Sequence, residues 1–147
     1  VSAHPDPDDL GPVDVAVVAI RGDVTVGVAQ ALARLHRDGV VRVLDLAVIR
    51  KADDGTPAYL EVDEAGLGDA FAWLGDEELD LLSDEDLAAV GEGVEPGSSG
   101  LVVVWENAWA RDLAVALRAE HGSLVMHERV PRETVVAALA ALAALDD

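Results

Sequence analysis

The chain contains no cysteine, which removes disulfides, thiol catalysis and thiolate-held zinc or iron–sulfur sites and leaves the redox compartment open. Lys51 is its only lysine, and aromatic residues make up just 3% of the chain, so the core has to be built from Val, Leu and Ala. No stretch approaches the ~18 consecutive apolar residues of a membrane-spanning helix. The opening VSAHPDPDDLGP has neither the basic nor the apolar region of a signal peptide and reads as a disordered acidic arm over residues 1–11. There is no GxxxxGK[ST] phosphate loop, no GxGxxG after a strand, no GxSxG elbow, and no HxH or HExxH spacing. No metal site, no cofactor and no catalytic residue is therefore expected, and the reading leans away from an enzyme while leaving that question open.

What the chain has in excess is negative charge. A formal charge of −19 over 147 residues repels phosphates, so neither nucleic acid nor an anionic membrane surface is an expected partner. The length suits one domain over residues 12–147, and a cytoplasmic location is the expectation.

Hydrophobic periodicity supplies the elements. VDVAVVAI (Val13–Ile20) is short, β-branched and apolar on both faces, which predicts a buried central strand. Asp23 is placed to cap a helix carrying Val24, Val28, Ala31, Leu32 and Leu35, and Asp38-Gly39 stops it. A second strand is expected over Val40–Lys51, a turn at Asp53-Asp54-Gly55, and a short edge strand over Ala58–Val62. An acidic insert (about 56–99) follows, with leucines at helical spacing, a Ser83/Asp86 capping box and the breaker PGSSG. The last third repeats the opening plan: a strand in SGLVVVWE, a helix from Asn107 to His121, a strand over Ser123–Val130, and a closing helix after Pro131 with Val135, Leu139, Leu142 and Leu145 in its stripe.

Two strand–helix–strand units, Val13–Lys51 and Leu101–Val130, predict an α/β (α+β) ferredoxin-like sandwich with an acidic helical insert and a C-terminal helix. The first strands of the two units would meet at its centre. One face of such a sheet lacks helices, so the insert, the last helix or a second subunit must cover it. A homodimer or a protein partner is the expectation.

Four phrases, GPVDVAVVAI, VRVLDLAVIRKADDG, LSDEDLAAVGEGVEPGSSGLVVVWENAWA and HERVP, resemble in order an actinobacterial family of unknown function. That family looks like a short relative of the glycine-zipper "predicted membrane protein" family of unknown function. Where the longer family has its membrane-like hairpin, this chain has EAGLGDAFAWLGDEELD, too short and acidic to insert. The resemblance implies no catalytic residues.

The candidate ligand-binding residues cluster at the second strand–helix junction. Asn107 is a favoured helix N-cap, and Glu106 suits the positive end of that helix. Alternatively both line a cleft at the strand ends. Trp105 and Trp109 either pack beneath the insert or form an aromatic wall. His127 and Arg129 share one face of the last expected strand. Arg50, beside Lys51, is placed to hold the insert or an anion. Asp45, a lone charge in an apolar run, needs a partner if buried, with Arg42, Arg50 and Arg129 as candidates. The leading functional expectation is a non-enzymatic, dimerising regulatory or interaction domain. The alternative is a small-molecule-binding protein or enzyme of the ferredoxin-like α/β-barrel type, with a pocket near Trp105, Glu106 and His127.

Overall fold

In a computed structural model, residues 10–74, 80–123, 125–126 and 128–145 are described. The elements are β1 (Val13–Arg21), α1 (Val26–Arg37), β2 (Arg42–Lys51), β3 (Pro57–Leu60), a 3₁₀ turn (Ala72–Leu74), α2 (Asp84–Glu92), β4 (Ser98–Glu106), α3 (Ala108–Ala119) and α4 (Arg132–Ala144). The architecture is α+β, a four-stranded sheet in the order β1-β4-β2-β3 with every neighbouring pair antiparallel. The first strands of the two units do lie side by side, but β1 is at the edge rather than the centre. Its outer neighbour would have been the expected strand Ser123–Val130, whose described residues form no strand. Leu124 and His127 lie outside the described residues.

Side-chain alternation sorts the sheet into two faces. On one, Val43, Leu46, Val48, Leu101 and Val103 form the main core with Ala29 and Leu32 of α1 and Leu67, Phe71 and Leu74 of the insert. On the other, Ile49, Val102 and Val94 form a smaller cluster under Leu82, Leu87 and Val90. That second cover stops short of β1, where Val13, Val15 and Val17 remain 42%, 60% and 47% exposed. The insert thus shields the part of the bare face nearest β2, and the last helix covers none of it: α4 has no buried residue.

Val43 and Leu46 share a face because β2 carries a bulge. Val43 pairs with Trp105 and Asp45 with Val104, leaving Leu44 as the extra residue. Asp45 is then buried on the smaller-cluster side, and its partner is none of the three arginines. Its Oδ1 accepts the Leu46 amide at 2.8 Å, and its Oδ2 accepts the amides of Leu81 at 2.9 Å and Leu82 at 3.1 Å. Two consecutive amides at the mouth of α2 converge on one oxygen, so the carboxylate ties the insert to the sheet.

A local signal sets the start of α2. The capping box forms with both bonds: Asp86 N–H donates to Ser83 Oγ at 3.0 Å and Ser83 N–H to Asp86 Oδ2 at 3.1 Å. The Ser83 bonds hold the Asp86 carboxyl below its ordinary pKa. A lowered native value stabilises α2 at neutral pH and loses that contribution as the pH falls through it. Amide exchange at Asp86 and Leu87, taken relative to the unprotected rate at each pH, should therefore accelerate below about pH 4, before exchange in β4 does. In Ser83→Ala it should be fast at neutral pH already, at a helix cost of about 1 kcal/mol.

At α1 the expectation fails. The N-cap is Thr25, with no side-chain bond, and Asp23 instead meets Arg50 Nε at 3.0 Å. That pairing draws Asp23 across to the neck of the β2–β3 hairpin, away from the start of the helix.

Candidate functional site

At the end of β4 the chain turns into α3 through Glu106 and Asn107, and both side chains reach back to the segment before β1. Glu106 is fully buried. Its Oε2 accepts the Gly11 amide at 2.7 Å, and its Oε1 lies 3.5 Å from Arg111 Nη1. Gly11 is packed so closely that a Cβ there would sit 2.7 Å from the Asn107 carbonyl oxygen and 3.0 Å from the Arg111 nitrogen. Only glycine lets the backbone approach this carboxylate. Gly11 was expected at the end of a free arm, but it belongs to the body.

Asn107 occupies the N-cap position of α3 without capping through its side chain. Its Nδ2 donates to the Pro12 carbonyl at 3.1 Å and to Asp14 Oδ2 at 2.9 Å, while its backbone amide also donates to Pro12 at 2.8 Å. The side chain is held by the first residues of β1, so it cannot also turn toward the helix amides. Asp14 Oδ2 also lies 3.9 Å from Arg129 Nη2. A cavity of about 250 Å³ opens here, lined by Asp14, Asn107, Trp109, Glu128 and Arg129.

Of the sequence candidates, Asn107, Trp109 and Arg129 thus come together. Trp109 is 46% exposed and walls the cavity, whereas Trp105 packs against the main core. Glu106 is spent on the Gly11 amide and Arg111. His127 lies outside the described residues. Arg50 is at the opposite end of the sheet, since β2 pairs it with Ser99 and pairs Arg42 with Glu106. There it lines a separate cavity of about 310 Å³ with Asp23, Lys51 and Asp53. Ser99 is no turn residue: it lies in β4, fully buried, with Oγ donating to the Gly22 carbonyl at 2.6 Å. Asp14 and Arg111 were missed at the sequence level. Arg111, five residues past Glu106, follows no helical spacing from it because the pair straddles the strand–helix junction. Asp14 sits in an otherwise apolar strand, as Asp45 does, and that was its available signal.

The chemistry on offer is modest. Among the described residues the cavity is lined by two carboxylates, one guanidinium, one amide and one indole. Among the described residues no group of three or more His, Asp or Glu side chains could hold a metal ion. No described helix is long and apolar enough to cross a membrane. Comparison with curated proteins and with solved structures finds no match. The sequence profile of a family of unknown function, DUF6325, matches residues 9–146, nearly the whole chain, and the protein belongs to that family.

Proposed function

We propose that this chain is a non-enzymatic, cytoplasmic interaction domain that works by self-association, regulating or scaffolding through protein contacts. The observation that carries the reading is α4. Residues 134–145 contain no charged side chain in a chain that is 27% charged, yet Val135, Val136, Leu139, Leu142 and Leu145 are 43% to 81% exposed. A helix that is apolar all round is normally a buried one. At roughly 1.5–3 kcal/mol for a fully buried aliphatic side chain, its exposed parts leave about 4–9 kcal/mol per chain of burial free energy unrealised. Two copies each carrying −19 repel wherever their charged surfaces meet, and α4 is where they can approach without that cost. The expected result is a dimer by light scattering at micromolar concentration and moderate salt, with Leu139→Glu giving a monomer. A wild-type monomer at all concentrations would end this reading.

A second reading, a small-molecule site, is supported by the convergence of Asn107, Trp109 and Arg129 on one cavity. Trp109 at its wall would report an occupant. Fluorescence titration with small carboxylates and guanidinium compounds should quench or shift Trp109 emission if such a site operates. No change, together with no thermal stabilisation, would remove it.

A further inference from the structure

The self-association proposed above needs a receptor for α4, and the same chain carries one. Along β1, Val13, Val15, Val17 and Ala19 form an exposed row on the side that α2 fails to cover. At its Val17 end the row opens into a cavity of about 550 Å³, walled across from β1 by Ala89, Val90 and Val94. We infer that α4 of a second copy lies along this row, with its C-terminal half seated between β1 and α2.

Dimensions, charge and area support the fit. From Val13 to Ala19 the strand covers about 20 Å, and the 13 residues of α4 span about 20 Å. The row has no charged member before Arg21, and residues 134–145 have none either. The C-terminal end of α4 then meets both charged residues of the cavity lining, Arg21, which suits the negative pole of the helix, and Glu95, which opposes it, so the direction rests on the apolar wall rather than on charge. The spacing of Val135, Leu139 and Leu142, four and then three residues, gives the single stripe that an apolar groove reads, and the intervening alanines let the helix lie close.

Large exposed apolar side chains number three on the row and five on α4 and its cap. At about 60–120 Å² per buried aliphatic side chain, their exposed fractions amount to roughly 260–530 Å² of apolar surface per copy. A stable interface buries about 800 Å² per partner, a little over half of it apolar. Donor helix and acceptor groove are on one chain, so a two-fold pair satisfies both at once and closes.

Engineered cysteines test this without background, because the chain has none. Leu139 reaches the middle of the row in either helix direction, so Val15→Cys and Leu139→Cys are the reporting pair. Mixed as single variants and oxidised, they should give a disulfide-linked dimer in high yield. Val15→Cys mixed with Asp69→Cys, an exposed position on the insert, should give none. A double variant that closes its disulfide within one chain overturns the second copy in favour of the chain's own helix. A protein that stays dimeric with no cross-link overturns the groove and leaves self-association standing. A monomeric wild type removes both. Val15→Asp, at a site already 60% exposed, keeps the body folded and should raise the dimer dissociation constant at least tenfold; an unchanged constant overturns the proposal.

Discussion

Replacing Glu106 with alanine should destabilise the body by about 3 kcal/mol, which for a chain of this size is a loss of roughly 10 °C in melting temperature. The side chain is fully buried, and its carboxylate ties the β4–α3 junction, where Arg111 lies in the first turn of α3, to Gly11, 95 residues earlier in the chain. Removing it takes away the acceptor of the buried Gly11 amide, while the neighbouring Asn107 carbonyl already accepts the Ala110 and Arg111 amides, and that desolvation is the main cost. Arg111 is 29% exposed at its side chain and can turn to solvent, so its loss contributes less. Glu106→Gln separates the two effects. It keeps an acceptor for the Gly11 amide and forfeits only the charge, so it should lose less than half as much. Thermal unfolding followed by circular dichroism reads both, and an alanine variant within 2 °C of the parent would mean that water replaces the carboxylate at no cost. Activity-based tests of Glu106 carry little weight here, because any change would arrive through the fold.

Asp45 should produce a loss of similar size with a different signature. Its three bonds are accepted by a carboxylate, a kind of bond worth roughly 1.5–3 kcal/mol net of competition from water, though not additively, and two of them hold Leu81 and Leu82. Asp45→Ala should therefore cost about 3 kcal/mol globally and, more tellingly, release the insert. Hydrogen exchange at the amides of Leu81 and Leu82 should rise at least tenfold relative to the amides of β4. The asparagine variant is not the mild control it is at most carboxylates. Both carboxylate oxygens accept from N–H groups, so an asparagine NH₂ must oppose one donor with another, and Asp45→Asn should behave nearly as badly as alanine. Equal protection of Leu81 and Leu82 in all three proteins would disprove the tether.

These two carboxylates mark where the sequence was readable and where it was not. The strands and helices were legible because each is signalled within its own dozen residues: β-branched runs for β1, β2 and β4, a four-and-three spacing for α4, and the Ser83/Asp86 box for α2. Partners were not legible. Asp45 looked like half of an ion pair because sequence displays arginines as obvious counter-charges, whereas the amides that satisfy it belong to every residue and are brought there by tertiary path. Strict alternation would also have put Val43 and Asp45 on one face. The extra residue at Leu44 changes that, and a bulge in a run of β-branched residues leaves no local trace. The expected strand at Ser123–Val130 has the composition of a strand, but its described residues do not pair with the open edge of β1, and β1 thereby stands at the edge of the sheet rather than its centre. At the candidate site, the junction was found and its content was misjudged. Asn107 has the right position for a cap and a better use for its side chain, and Arg50 is separated from it by the length of the sheet.

The open side of β1 has a consequence for handling the protein. Its outer backbone groups have no partner strand among the described residues, and its sequence carries none of the lysines, prolines or bulges that blunt such an edge. Mutual repulsion between molecules then becomes the main barrier to irregular edge-to-edge joining. That barrier depends on conditions: it weakens in strong salt and vanishes near pH 4.2, where positive and negative charges balance. Mild acid should therefore bring on precipitation into a strand-rich form while the individual molecules are still folded.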